Sequence, residues 1–167
     1  MIIRPATKKD IPQILSLFQK VASNPGYLAR LENEIDLNYV EHNVCTALDT
    51  GCCLIAVDDI EDKPIAVIHG SCPGISCFQH VIGNITIAVL PEHQSNGIGK
   101  QLFCEFITQI KTQRNNISRI ELYTRESNTK GINLYKSLGF QIEGKLRNRV
   151  NNLDGTKEDD LIMGLIL

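Results

Sequence analysis

The sequence predicts a mixed α/β domain, one sheet of five or more strands with helices interleaved between them. Three observations carry the prediction. Short apolar runs rich in β-branched residues alternate with stretches whose apolar side chains recur every three or four positions. Several strand-to-strand links are short and turn-like, so parallel crossovers alone do not build the sheet. The 167 residues hold no repeat and no low-complexity linker, and one domain over 1–167 is expected.

Taken in order, residues 2–6 read as a first strand. Thr7-Lys8-Lys9-Asp10 follows as a helix start, with Thr7 as the side-chain cap and Asp10 as an early acid. Ile11, Ile14, Leu15 and Phe18 then repeat at helical spacing until Asn24-Pro25-Gly26 stops them. A second helical region is predicted over 28–48, with Leu28, Leu31 and Ile35 on one side. Residues 52–57 and 65–70 form two strands joined by the acidic turn from Asp58 to Pro64. A strand over 85–90 breaks into Gln94-Ser95-Asn96-Gly97-Ile98-Gly99 and continues as an amphipathic helix over 100–109. Residues 117–124 alternate as a half-buried strand should, and 129–138 form a short helix. The last two strands, 141–150 and 158–167, flank Asp154-Gly155, a strong hairpin dipeptide.

Composition excludes several function classes. A net charge of −2, a pI near 6.1 and the lack of any lysine or arginine cluster argue against a nucleic-acid partner. The six cysteines, Cys45, Cys52, Cys53, Cys72, Cys77 and Cys104, form no Cys-x-x-Cys pair. Their irregular spacing points to reduced, mostly buried thiols, with neither a disulfide framework nor a metal site. The start, Met1-Ile2-Ile3-Arg4-Pro5, carries no basic-then-apolar leader, and no apolar run approaches the ~20 residues of a membrane span. A cytoplasmic protein without membrane contact is expected.

The strand, glycine loop and helix between 85 and 109 are the first chemical signal. Such a loop exposes backbone N–H groups at the positive end of a helix dipole, a place for phosphate. The loop lacks the Gly-Lys-Ser/Thr ending of a Walker A motif and the third glycine of a dinucleotide site. Downstream, Asn128-Thr129-Lys130-Gly131-Ile132-Asn133-Leu134-Tyr135 runs on to Leu138-Gly139-Phe140.

The first pattern resembles the Gln/Arg-x-x-Gly-x-Gly/Ala signature of the GNAT family of acetyl-CoA-dependent N-acetyltransferases. The second resembles the family's later hallmark, with Gly131 where alanine is commoner. The resemblance spans nearly the whole chain and implies a twisted, mostly antiparallel sheet flanked by helices. It implies acetyl-CoA as co-substrate and direct attack by a primary amine. The opening Ile-Arg-Pro-Ala-Thr and the closing Asp-x-x-x-Met are similar to small bacterial-type enzymes acting on amino acids or related amines.

By the same resemblance, Ile87, Ala88 and Val89 would pair with the pantetheine arm. Gln94, Ser95, Asn96, Gly97, Ile98, Gly99 and Lys100 would form the pyrophosphate loop, and Asn128 would hydrogen-bond the arm. A backbone N–H near Val89 would face the oxyanion, and Tyr135 would be the proton donor to the leaving thiolate. Where some members carry a glutamate in the strand before the loop, this chain has Gly83 and Asn84. His80 is the candidate base, because imidazole suits proton exchange near neutral pH. His69, Glu92, His93, Tyr123 and Glu126 are weaker options, and water-mediated deprotonation also fits. Tyr27, Glu32, Glu34, Arg147 and Arg149 are candidates for the acceptor cleft. A small-molecule amine is the lead acceptor, a protein N-terminus the second, and a non-catalytic acetyl-CoA sensor the different-class reading. The resemblance also allows a homodimer.

Overall fold

Aliphatic and β-branched runs become strands and the periodic stretches become helices, in an order close to the expected one. In the computed structural model, which describes residues 1–24, 26, 28–60 and 62–167, the strands are β1 (Ile2–Pro5), β2 (Cys52–Val57), β3 (Pro64–Ser71), β4 (Val81–Val89), β5 (Arg119–Arg125), β6 (Gln141–Asn151) and β7 (Lys157–Ile166). The helices are α1 (Ile11–Ala22), α2 (Leu37–Thr50), α3 (Ile98–Gln113) and α4 (Thr129–Ser137). The strands form one seven-stranded sheet in the order β1-β2-β3-β4-β5-β7-β6. Every neighbouring pair is antiparallel except β4 and β5.

Alternation along the central strands divides the core in two. Cys53, Ile55 and Val57 of β2 and Val67 of β3 pack with Ile14, Phe18, Val40 and Val44 of α1 and α2. Leu54 and Ala56 of β2 and Ile68 of β3 pack with Leu102, Phe103, Phe106 and Tyr135 on the other side. Sheet positions two apart share a face, so a one-residue slip would exchange the two cores.

Three local expectations are corrected. The second helix starts at Leu37, not at 28: Asp36 has extended backbone and its carboxylate accepts from the Tyr39 N–H at 2.8 Å. Residues 28–31 precede a 3-10 turn, Glu32–Glu34, and Leu31 is exposed while Ile35 is buried. Thr7 does not cap with its side chain. Its hydroxyl and N–H both donate to Asp10, whose carboxylate also takes the two Nη atoms of Arg4 at 3.0 and 2.8 Å. The Arg4 guanidinium holds that carboxyl down at about 2. Of the cysteines, all free, only Cys53 is fully buried, and Cys77 and Cys104 are exposed.

One irregularity positions the site. Across β3 and β4 the register runs from His69↔Thr86 to Ser71↔Gly83, which inserts one extra residue into β4. Asn84 takes a left-handed φ of 50° within this bulge, and a bulge bends its strand and sharpens the twist. Below it, β4 pairs with β5 at Val81↔Arg119 and Ile82↔Ile120. Above it, β4 follows β3 up to Ala66↔Val89 while β5 follows β7 up to Arg125↔Asp160. The sheet opens as a V, and the β5-facing backbone of residues 85–89 is left without a ladder partner among the described residues.

Candidate active site

The loop after β4 is clamped at its base. The N–H of Leu90 donates to Ile65 O at 2.9 Å, and Gln94 Nε2 donates to Val89 O at 3.0 Å. Ser95 and Gly97 both adopt positive φ, 64° and 78°, turning successive N–H groups toward one side. The first bond into α3 is Gln101 N–H to Gly97 O at 3.0 Å. The N–H groups of Ser95 through Lys100 have no acceptor among the described residues. They sit at the positive end of a helix of 16 residues, a setting suited to phosphate oxygens.

The two glycines differ. Gly97 is in the left-handed region, where a side chain strains the backbone. A Cβ at Gly99 would meet only Val89 Cγ2 at 3.6 Å and Ile87 Cδ1 at 3.9 Å, ordinary contacts that the fold tolerates. Gln94 acts as a clamp on the strand end, and Lys100 is exposed.

Between β4 and β5 lies a cleft of about 460 Å³, lined by Ile85, Thr86 and Ile87 of β4 and by Tyr123, Thr124 and Arg125 of β5. Asn128, Tyr135, Arg149, Val150, Asn151 and Asp160 complete it, with Gly26, Leu28 and Ala29 on the opposite lip. Tyr135 is 9% exposed and packs edge-on to Phe103 and Phe140, with centroids at 5.8 and 6.1 Å. Its hydroxyl has no partner among the described residues. Burial pushes the phenol up to about 12, so it remains protonated and available as a donor. Asn128 accepts from the Gly131 N–H at 3.0 Å and donates to Thr124 Oγ1 at 3.1 Å. Its side chain therefore caps α4 as well as facing the cleft. A Cβ at Gly131 would lie 2.4 Å from Asn128 Nδ2, so glycine there is what lets the cap fold over the helix end.

His80 stands apart from this arrangement. It is exposed, immediately before β4, and its carbonyl accepts from the N–H groups of Ser118 and Arg119 at 3.0 and 3.2 Å. That is the closed end of the V, roughly 25–30 Å along the strand from Val89, and His80 does not line the cleft. The structure does not bring the expected base His80 together with the residues that line the cleft. His69 is buried beneath α1, edge-on to Phe18 at 5.9 Å, with Nε2 unpartnered among the described residues, and burial pushes it down to about 4. Glu92 pairs with Lys20, Glu126 pairs with Lys145, and His93 is half-buried in the turn Pro91–His93. Tyr123 does line the cleft. Of the acceptor candidates, Arg149 lines it, Glu34 borders an adjoining pocket and accepts from the Leu31 N–H, and Glu32 and Arg147 are exposed outside it. Tyr27 lies outside the described residues.

The cleft contains two charged groups that the sequence reading missed. Arg125 ends β5 and donates from Nη1 to Asn152 Oδ1 at 3.0 Å. Asp160 faces it across the β5–β7 ladder and is 8% exposed. The adjacent acids Glu158, Asp159 and Asp160 look alike in the sequence, and only the register separates the inward one. Asp159 accepts from the N–H of Asn148, whose φ of 52° marks a bulge between Leu146 and Val150. The bulge aims Arg149 inward, where it lies 4.4 Å over the Tyr123 ring and 3.4 Å from Asp160. Burial raises the Asp160 carboxyl above its ordinary value, against the pull of Arg149 and Arg125. Among the described residues, no group of three His, Cys, Asp or Glu could hold a metal ion, and no helix is long and apolar enough to cross a membrane.

Comparisons with known proteins identify the family and the fold. The sequence pattern of the acetyltransferase (GNAT) family covers residues 13–140. A curated relative, the [Ribosomal protein bS18]-alanine N-acetyltransferase of Escherichia coli K12, is 37% identical over 100 residues. That match covers 58% of this chain and 66% of the relative, just short of two thirds of its length. The crystal structure of ribosomal-protein-alanine N-acetyltransferase from Brucella melitensis superposes with a TM-score of 0.85 at 24% identity, over 100% of both chains. The putative acetyltransferase yncA from Salmonella typhimurium, solved with its cofactor acetyl-CoA, superposes with a TM-score of 0.87 at 19% identity, over 100% of this chain and 94% of that one. The chain belongs to the GNAT acetyltransferase family.

Proposed function

We propose that this chain transfers the acetyl group of acetyl-CoA to a primary amine, with a small amino-acid-like acceptor favoured. The observation that carries the reading is a run of unused hydrogen-bonding groups along β4 and the loop after it, with Tyr135 in the cleft that Ile85, Thr86 and Ile87 of the same strand line. The unpartnered N–H groups of Ser95 through Lys100 suit the pyrophosphate, the unpaired edge of β4 suits a strand-like pantetheine arm, and buried Tyr135 faces the space between them. An arm added along residues 87–89 would bring its thioester to the opened part of the V. There a β4 N–H near Val89 faces the developing oxyanion and Tyr135 donates its proton to the departing thiolate.

The acceptor enters from the opposite lip, between residues 26–29 and the β6–β7 hairpin. Arg125 and Arg149 suit a carboxylate, and the buried Asp160 suits an ammonium. A free amino acid offers both. A cytoplasmic setting accords with the unpaired thiols. A second reading, a protein N-terminus, is favoured by one feature: the cleft runs into an adjoining pocket that shares Gly26, Leu28, Ala29, Arg125 and Asn151 with it, leaving a path for a peptide. The named activity of the Escherichia coli relative points the same way.

The test is mass spectrometry of products after the chain is incubated with acetyl-CoA and two pools, the twenty amino acids and peptides with free N-termini. Acetylated amino acids support the first reading and acetylated peptides alone the second. No product from either pool, with acetyl-CoA bound, refutes both.

A further inference from the structure

We infer that Asp160 is the amine-facing carboxylate of the acceptor site, the group that receives the acceptor's ammonium and takes its proton. The inference rests on the acetyl-transfer reading above.

Three observations carry it. Asp160 is the sole carboxylate lining the cleft among the described residues, and it lies there with Tyr135. It is held without being saturated: its one ion-pair partner, Arg149, sits at 3.4 Å, too long for a strong charge-assisted bond. The surroundings are built to hold this arrangement. Asp159 pins the Asn148 bulge, the bulge turns Arg149 inward, and Tyr123 supports the guanidinium from below. An incoming ammonium could displace Arg149 from the Asp160 oxygen toward a carboxylate on the same acceptor.

The groups facing Asp160 are Arg149 from β6, Arg125 and Tyr123 from β5, and Glu158 from its own strand. Burial makes the carboxyl a better proton acceptor than an exposed aspartate, in the direction a general base requires. The step balances. The ammonium gives one proton to Asp160, and the free amine nitrogen forms the N–C bond to the acetyl carbonyl. The C–S bond breaks and the thiolate takes the Tyr135 proton. The second nitrogen proton re-forms the phenol, and Asp160 returns its proton to water.

The experiment pairs kinetics with a binding measurement that does not need turnover. In Asp160→Asn, which keeps the shape of the side chain, kcat with the acceptor pools is expected to fall about 100-fold or more. Acetyl-CoA affinity should stay within about 2-fold, and the rising acid limb of the pH–rate profile should be lost. A kcat within about 3-fold of the parent, or an unmoved acid limb, overturns the inference. Arg149→Met separates a merely structural pair: it is expected to raise KM while the acid limb persists, and loss of that limb there also counts against Asp160. If the parent yields no product, the acetyl-transfer reading fails, and carbon NMR of the Asp160 carboxyl still decides the inference. L-alaninamide should shift that signal and lactamide, its hydroxyl counterpart, should not. Equal responses, or none, overturn it.

Discussion

Replacing His69 with leucine removes the one fully buried side-chain nitrogen or oxygen without a partner among the described residues, and the structure sets the size of the effect. The imidazole is wedged under α1 against Phe18, opposite Thr86 of the cleft wall, and burial holds it at about 4 against an ordinary 6.5. A folded-state value below the unfolded one means that the unfolded chain binds the proton first as pH falls. Stability from neutral His69 is therefore complete above pH ~6.5, declines between ~6.5 and ~4, and is fully lost below that, about 3 kcal/mol in all. Between pH 8 and pH 5 the expected loss is about 2 kcal/mol. Leucine has no proton to bind and no orphaned nitrogen, so His69→Leu should match or exceed the parent at pH 8. Urea denaturation of both proteins across this window reads the difference directly, and every other titrating group cancels. The Asp10–Arg4 pair, with its carboxyl at about 2, acts at more acid pH and leaves the window clean. A stability gap that stays constant from pH 8 to pH 5 would refute the reasoning.

Substitutions at Tyr135, Gly99, Gly131 and Asn128 probe the site. Tyr135→Phe should lower kcat by about 100-fold while acetyl-CoA affinity changes less than about 2-fold, and equal loss of both, seen by calorimetry and kinetics, would end the proton-donor role. Gly99→Ala should fold and melt as the parent does, since its Cβ meets only ordinary contacts. Gly99→Glu should abolish acetyl-CoA binding without lowering Tm, and retained binding would move the phosphate elsewhere. Gly131→Ala should lack the gain of about 1 kcal/mol usual for glycine-to-alanine in a helix, because the new Cβ displaces the Asn128 cap. In an Asn128→Ala background the same change should recover that gain, and chemical denaturation of the four proteins measures the coupling.

The parts of the fold set by local periodicity and turn chemistry were legible in the sequence. The β2–β3 hairpin, the α3 and α4 helices and the Asp154-Gly155 turn fall where spacing and turn residues put them, with boundaries moved by a few residues. The glycine turn between β4 and α3 was equally legible, because its glycines and the helix start are properties of one short segment. What could not be read were features that depend on register between distant strands. Nothing local says that β4 carries an extra residue at Asn84 and so parts from β5, or that His80 ends up at the closed end of the V. Asp160 was hidden for the same reason. Three neighbouring acids differ in role only because β7 alternates against β5 and a β6 bulge consumes Asp159. Asn128 illustrates a double use: the helix cap and the cleft wall are one side chain.

On the proposed reading, the opened edge of β4 and the loop before α3 together seat acetyl-CoA. Backbone amide NMR of the labelled chain during an acetyl-CoA titration tests it most directly. Saturable shifts are expected to concentrate in Ser95 through Lys100 and in residues 85–89, with His80 and the closed end of the V unmoved. Binding that shifts a different face, or leaves the Ser95–Lys100 amides unchanged, would contradict it.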